Sequence, residues 1–163
     1  MTGITCDRRM KDHLKSKIYR TVIRPVALYG NECLSATKEV ERRLGVMKTK
    51  MLRWIGGITR KDHVSSANIR KRFGVAPIHE KMRESRLRWL GHVLGAEDNT
   101  IAKSAYVLEI NGKRPSGRPR HRWGDTVSKD LNTVNLQLED AKDRIRWRRH
   151  FLTSDPAITW DKR

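Results

Sequence analysis

The acidic residues are the first candidates for chemistry, because two-metal polymerases and nucleases hold their ions with closely spaced carboxylates. The 163-residue sequence has 18 Asp and Glu residues, and its adjacent acidic pairs are Glu97-Asp98 and Glu139-Asp140. Neighbouring residues of a helix point about 100° apart, so neither pair can converge on one pair of metal ions. The glycine-rich phosphate-binding motif that ends in Lys-Ser/Thr is absent. We therefore expect no catalytic residue and no enzymatic activity of this chain by itself.

The histidines and cysteines do not have the spacing of metal ligands. Of the two cysteines, Cys6 and Cys33, neither belongs to a Cys-x-x-Cys pair, and no His pair stands near them at zinc-finger spacing. The six histidines show no triad pattern, and we interpret most of them as surface residues. The sequence therefore predicts reduced structural thiols, no metal site and no cofactor.

Residues 113–122, Lys-Arg-Pro-Ser-Gly-Arg-Pro-Arg-His-Arg, carry positive charge in a segment that cannot form a regular helix. A Gly-Arg-Pro core flanked by arginines can lie in the narrow minor groove of A·T-rich DNA, where the negative potential attracts Arg. Contact with phosphates alone, a plain linker and a localisation signal are the alternatives.

Four tryptophans directly follow an arginine, a composition typical of base-stacking or cation–π surfaces. Helical periodicity places Trp54 and Trp123 on apolar stripes and predicts core packing for them, which leaves Trp89 and Trp147 as contact candidates. The predicted nucleic-acid-binding residues are Lys50, Arg53, Arg86, Arg88, Trp89, Lys113, Arg114, Arg118, Arg120, Arg122, Trp147 and Arg148.

The charge balance indicates a polyanionic partner. Thirty-six Lys and Arg residues give a formal net charge of +18, which a polyanion would neutralise. The candidate partners are nucleic acid, an anionic membrane surface and an acidic protein, and of these we expect nucleic acid, as duplex DNA, an RNA–DNA hybrid or RNA. No apolar run is long enough to span a bilayer, and the N-terminus lacks the apolar stretch of a secretory signal. An intracellular protein, nuclear or part of a cytoplasmic ribonucleoprotein, with no membrane partner, is therefore expected.

The elements that position these residues are predicted to be helices, because apolar residues recur at spacings of three and four. Thr37 and Ser65 or Ser66 are predicted N-caps, and Pro25 should kink or split the first helix. The predicted helices cover Met10–Tyr29, Thr37–Ile55, Ser65–Gly74, Pro77–Leu94, Ile101–Ile110 and Trp123–Val134, with a further helix beginning at Leu138. For Ile101–Ile110 a strand is the alternative.

The second and fourth of these helices are predicted to pack together through Met47, Met51, Trp54, Leu87 and Leu90. They also carry a similar turn, Leu-Arg-Trp-Ile-Gly over 52–56 and Leu-Arg-Trp-Leu-Gly over 87–91. Nothing that flanks the two turns matches, so we interpret their similarity as a chance result of the helical pattern and not as a repeat.

Four blocks of sequence resemble, in order and spacing, the part of non-LTR retrotransposon reverse transcriptases that follows the palm, most closely in RTE-type LINE elements. They are Lys-Ile-Tyr-Arg-Thr-Val-Ile-Arg-Pro-Val-Ala-Leu-Tyr-Gly-Asn-Glu over 17–32, Arg-Leu-Arg-Trp-Leu-Gly-His-Val over 86–93, Gly-Arg-Pro-Arg-His-Arg-Trp-Gly-Asp over 117–125, and Ala-Lys-Asp-Arg over 141–144 with Trp147-Arg148.

The helical pattern and the resemblance together predict an all-α organisation: a connecting helix after the palm (1–36), a helical thumb-like bundle (37–110), a basic Pro/Gly/Arg linker (111–122), a C-terminal helical hairpin (123–152) and a frayed tail (153–163). The thumb would grip the template–primer duplex, largely through phosphates. The catalytic palm and the endonuclease of such elements would lie upstream of Met1.

Three functions remain open from the sequence. The first is a nucleic-acid-binding thumb and C-terminal region. The second is the non-catalytic part of a reverse transcriptase that works with a separate palm as its partner. The third is a domesticated DNA-binding regulator that uses the Gly-Arg-Pro segment.

Overall fold

The computed structural model describes residues 7, 9–108, 116–117 and 121–156. Every regular element in these ranges is helical, so the all-α prediction is confirmed. The α-helices are α1 (Asp12–Ile18), α2 (Arg24–Leu28), α3 (Lys38–Ile55), α4 (Ser66–Phe73), α5 (Ile78–Leu94), α6 (Ile101–Val107), α7 (Trp123–Val134) and α8 (Arg144–Phe151).

The predicted N-caps of α3 and α4 are confirmed. The Thr37 hydroxyl accepts a hydrogen bond from the backbone N–H of Val40 at 3.4 Å, and the Ser65 hydroxyl accepts one from Asn68 at 3.2 Å. These bonds satisfy N–H groups that have no partner within the helix. Gly74 ends α4 in the left-handed conformation with φ +55°, which glycine adopts without a steric penalty.

The irregularity expected at Pro25 takes the form of a π-helical turn, Tyr19–Ile23, between α1 and α2. Pro25 has no N–H to donate to the preceding turn, and a π turn widens the backbone just before it. The chain stays helical from Asp12 to Leu28.

The single helix predicted from Leu138 is wrong, because the structure has a 3₁₀ turn, Leu138–Lys142, followed by α8. Asp143 separates the two. Its side chain accepts hydrogen bonds from the backbone N–H groups of Ile145 and Arg146 at 3.0 and 3.1 Å. This N-cap geometry requires an extended residue at position 143, which interrupts the helical path.

The described chain divides into two compact units, and their bounds cut across the predicted segments. The first unit combines residues up to Gly30, Thr37–Met82 and the residues from Thr153 onward. Its core is formed by Tyr19, Leu52, Ile55, Ile69, Phe73 and Val75.

The second unit combines Asn31–Ala36 with Arg83–Leu152. Its core is formed by Leu87, Leu90, Val127, Leu131, Leu136, Ala141, Trp147 and Phe151. The packing of α3 on α5 predicted through Met47, Met51, Trp54, Leu87 and Leu90 is therefore wrong for three of these residues. Leu87 and Leu90 lie among residues of α7 and α8, and Trp54 is 54% exposed.

The predicted frayed tail begins with residues that are held in the first unit. The Asp155 carboxylate binds the Arg24 guanidinium at 2.6 Å and accepts the backbone N–H of Ala76 at 3.0 Å. Burial raises the pKa of Asp155, but the hydrogen bonds from Arg24 and Ala76 outweigh it and leave the pKa below the ordinary value. Residues 157–163 lie outside the described ranges.

No helix within the described ranges has both the length and the apolar character needed to cross a membrane.

Candidate nucleic-acid interface

A cleft of about 720 Å³ in the first unit is lined by basic side chains. Among the residues that the structure describes, its lining includes no Asp or Glu, and its basic residues are Lys50, Arg53, Arg60, His63 and Arg70. Two of these, Lys50 and Arg53, belong to the predicted binding residues. We refer to this surface as the first-unit cleft.

The loop between α3 and α4 forms one wall of the first-unit cleft. Arg53 on α3 braces the loop, donating to the carbonyl oxygens of Thr59 at 3.2 Å and Val64 at 2.6 Å. The Asp62 carboxylate accepts the backbone N–H and the hydroxyl of Thr59, and these bonds lower its pKa, the backbone bond most. His63 follows in the left-handed conformation with φ 48°. Hydrogen bonds from both its ends therefore brace the loop.

Lys48 lies one residue from this cleft on α3 but points into the protein. It is 3% exposed and donates to the carbonyl oxygen of Ala76 at 2.6 Å. Burial, together with the nearby charges of Arg70 and Arg24, lowers its pKa to about 8. Lys48 is a structural lysine and takes no part in the cleft's surface.

A second cleft, of about 580 Å³, lies within the second unit. Its lining includes Arg88, Trp89 and His92 from α5, Arg144 and Arg148 from α8, and Glu32. The rings of Trp89 and His92 lie 5.3 Å apart and are tilted by 36°. We refer to this surface as the second-unit cleft; it brings together the predicted residues Arg88, Trp89 and Arg148.

Trp147 forms a wall of the second-unit cleft and is not a contact surface. It is 3% exposed, and its indole N–H donates to the Leu87 carbonyl oxygen at 3.0 Å. The ring lies directly on Gly91, where an added Cβ would be 2.5 Å from Trp147 Nε1. Trp147 was predicted to contact nucleic acid, but α8 packs its side chain into the core.

Arg86, another of the predicted binding residues, is also buried. It is 1% exposed, and its guanidinium binds the Asp130 carboxylate of α7 at 2.6 Å and 3.2 Å. Arg83 adds a longer contact of 3.7 Å to the same carboxylate. A buried arginine requires such a partner, so Arg86 joins two helices and cannot reach a phosphate.

The core packing predicted for two other tryptophans is wrong for Trp54 and confirmed for Trp123. Trp54 was predicted to be buried, but Leu52 and Ile55 fill the core in its place and leave it 54% exposed. Trp123 is packed against the second core as predicted, and its N–H donates to the Glu32 carbonyl oxygen at 2.7 Å.

The remaining predicted site residues are not brought into either cleft. Arg122 is exposed immediately before α7 and lines neither cleft. Lys113, Arg114, Arg118 and Arg120 lie outside the described residues.

The sequence analysis missed Arg60, His63, Arg70, His92 and Arg144 as lining residues. One signal was available: Arg144 precedes Arg148 by four residues, the spacing that places two side chains on one helical face. Arg60 and His63 lie in an irregular loop, for which no periodicity exists.

One carboxylate of each adjacent acidic pair, Asp98 or Asp140, is held by a contact within the protein. Asp98 binds Lys103 at 2.7 Å, and this hydrogen bond lowers its pKa. Asp140 accepts the backbone N–H of Gln137 at 2.9 Å at the start of the 3₁₀ turn. Within the described ranges no three His, Cys, Asp or Glu side chains are grouped to hold a metal ion.

Comparison with known proteins gives one relation. The chain is 25% identical over 156 residues to a protein of Caenorhabditis elegans whose name describes it as uncharacterized and transposon-derived. This chain is similar to a transposon-derived protein. The match covers 88% of the chain but 56% of that relative's length. No protein-family model matches the chain, and no solved structure matches it.

Proposed function

We propose that this chain binds nucleic acid with little sequence preference, mainly through phosphates held in the first-unit cleft. The observation that carries the proposal is the cleft's lining, in which the described residues include Lys50, Arg53, Arg60, His63 and Arg70 and no carboxylate. Phosphate contacts of this kind fix a protein on a nucleic acid without reading its sequence.

Two further features support the proposal. The formal net charge of +18 favours a polyanionic partner over the whole molecule. The braced loop between α3 and α4 presents Arg60 and His63 at little conformational cost, because Arg53 and Asp62 already hold it.

The similarity to a transposon-derived protein supports a mobile-element origin. Together with the four sequence blocks, it favours the thumb and C-terminal region of an RTE-type reverse transcriptase, whose ligand is the template–primer duplex. In this proposal the chain itself is not an enzyme, and a palm on another part of the polypeptide or on a separate chain supplies the catalysis.

The experiment is a salt-dependent titration against duplex DNA, RNA–DNA hybrid and single-stranded RNA, followed by fluorescence anisotropy. On duplex DNA each neutralised phosphate contributes about −0.9 to the slope of log K against log salt. The double variant Lys50→Gln/Arg60→Gln should bind more weakly and make the slope shallower by about 2.

The matched control is Lys17→Gln/Lys71→Gln, which removes the same charge from exposed positions of the first unit that do not line the cleft. Equal effects of the two double variants would show that net charge, and not this cleft, governs binding. A binding constant that does not change with salt would contradict the proposal altogether.

A further inference from the structure

The second-unit cleft differs in chemistry from the first-unit cleft. Beside its arginines it contains an aromatic pair, Trp89 and His92, and one carboxylate, Glu32. A surface that binds phosphates alone needs neither. Its volume of about 580 Å³ falls within the range of about 300–1,000 Å³ typical of small-ligand sites.

Arg144 and Arg148 supply charge on one side of this cleft. They are one turn apart on α8, so their side chains share a face, and both are exposed. Among the described residues, neither guanidinium forms an ion pair, whereas Arg88 binds Glu84 at 2.5 Å. Arg144 and Arg148 can therefore hold a phosphate without giving up an existing partner.

Trp89 and His92 supply a stacking surface on α5. Their rings are in contact, and Trp89 is half-buried, which limits the freedom that its ring loses on binding. The indole N–H of Trp147, in the wall, is already bonded to Leu87. Trp147 therefore forms part of the cleft's surface without a free hydrogen-bond donor. Trp89 and His92 present the aromatic face on which a base can stack.

Glu32 is the acidic residue in this cleft. Its backbone is anchored by Trp123, which donates to its carbonyl oxygen at 2.7 Å. Within the described ranges its carboxylate has no hydrogen-bond or ion-pair partner. A carboxylate repels a phosphate but accepts hydrogen bonds from the amino groups of bases. It therefore marks the position of a base edge and not of the backbone.

We propose that the second-unit cleft binds one unstacked nucleotide of a single strand. The base stacks on Trp89, its exocyclic amino group donates to Glu32, and its phosphate lies between Arg144 and Arg148. Cytosine, adenine and guanine carry such an amino group, whereas thymine and uracil do not. A paired base has its amino group engaged and its faces stacked, so a duplex interior does not enter this cleft. The inference rests on the proposed function only in taking nucleic acid as the ligand.

The test uses the full chain and labelled single-stranded dC, dA and dT oligonucleotides of equal length, with duplex DNA measured in parallel. Wild-type protein should bind the dC and dA strands more tightly than dT. Trp89→Leu should weaken binding of the dC strand by about tenfold, the scale of one lost base stack, and leave duplex affinity unchanged. Glu32→Gln should reduce the preference for dC over dT to within about twofold, because the amide loses the charge that favours amino donors.

Arg148→Gln and Arg149→Gln form a matched pair, since both residues are exposed on α8 but only Arg148 lines the cleft. Arg148→Gln should weaken single-strand binding more than Arg149→Gln, and neither exposed substitution endangers folding. A preference for dT, equal effects of these two variants, or an unchanged dC affinity in Trp89→Leu would overturn this inference while duplex binding persists. Loss of all binding by wild-type protein, duplex included, would overturn the proposed function as well.

Discussion

Gly91 shows how a single missing side chain shapes the second unit. Trp147 lies against its backbone closely enough that a Cβ at this position would overlap the indole ring. Glycine costs a helix about 0.8–1.0 kcal/mol relative to alanine, so its presence inside α5 reflects the close approach of α8. Gly45, inside α3, has nothing within 4 Å of the equivalent position.

These two glycines predict opposite effects of the same substitution. Gly91→Ala should lower the free energy of unfolding by about 1–3 kcal/mol, because the added methyl displaces Trp147. Gly45→Ala should raise it by about 0.5–1 kcal/mol through helix propensity alone. Urea unfolding followed by circular dichroism measures both, and a stabilising Gly91→Ala would show that Trp147 does not pack there.

A larger loss of stability is expected on substitution of Asp130, because its carboxylate neutralises the buried Arg86 guanidinium at 2.6 Å. Asp130→Asn should lower the free energy of unfolding by about 3–5 kcal/mol, the usual effect of leaving one charge of a buried pair without its partner. Asp12→Asn, at the exposed contact with Arg72, should have a far smaller effect.

Replacing both partners, Arg86→Met with Asp130→Leu, should recover much of that loss, because the Arg86 charge is then removed together with its partner. Thermal or urea unfolding of the four proteins gives the comparison. Equal stabilities of Asp130→Asn and Asp12→Asn would place Arg86 in solvent.

At the scale of elements, the two similar turns of α3 and α5 have equivalent surroundings. Leu52 and Leu87 are both 0% exposed, each in the core of its own unit. Gly56 lies against Phe73 just as Gly91 lies against Trp147. The resemblance that the sequence analysis interpreted as a shared helical pattern thus accompanies a shared packing arrangement, in which a glycine receives an aromatic ring from a later helix.

The free energy of unfolding should depend on pH through Lys48 of α3. Burial, together with the charges of Arg70 and Arg24, lowers the pKa of this lysine from 10.5 to about 8. Between these values the unfolded chain retains a proton that the folded chain has released, so raising the pH favours folding. The free energy of unfolding should therefore rise more between pH 8 and 10 in wild-type protein than in Lys48→Met. Burial raises the pKa of Tyr19 to about 12, which opposes the effect only above its ordinary value of 10.0.

Urea unfolding at pH 7.5 and 9.5 tests this, with Lys50→Met on the same helix as the control. The control keeps Lys48 and should keep the wild-type rise. An identical pH dependence of Lys48→Met and Lys50→Met would show that the Lys48 ammonium is solvated.

At the scale of the whole molecule, carboxylates hold the fold together while much of the basic charge remains on the surface. Asp130 and Asp155 neutralise arginines inside the second and first units, respectively. In the described part of the chain, the lining of the first-unit cleft has no such carboxylate, and that of the second-unit cleft has Glu32 alone. This separation lets a net charge of +18 coexist with compact units.

The whole chain is also predicted to lack polymerase and nuclease activity by itself. Asp98 and Asp140, its candidate metal ligands, are occupied by Lys103 and by the backbone of Gln137. Purified protein given primer–template, nucleotides and Mg²⁺ or Mn²⁺ should extend and nick nothing. Reproducible extension that disappears in Asp98→Asn or Asp140→Asn would contradict this prediction.

Local features were predictable from the sequence because their physics is local. The spacing of apolar residues indicates a helix, and hydroxyl groups such as those of Thr37 and Ser65 satisfy the N–H groups three residues ahead. The all-helical class and most helix bounds follow from these patterns. So does the basic surface charge, which is additive over residues. Lys50, Arg53, Arg88, Trp89 and Arg148 were predicted as candidates on these grounds.

The tertiary structure alone decided which of those candidates face solvent. Periodicity gives the angle of a residue around its helix, but not which part of the apolar arc another helix covers. α3 buries Leu52 and Ile55 and leaves Trp54 outside, whereas α8 buries Trp147 on Gly91. Arg86 and Arg88 are chemically alike and two residues apart, yet Asp130 of α7 takes Arg86 into the interior. Arg86 is buried and Arg88 is exposed because burial of a charge depends on a partner that is distant in sequence.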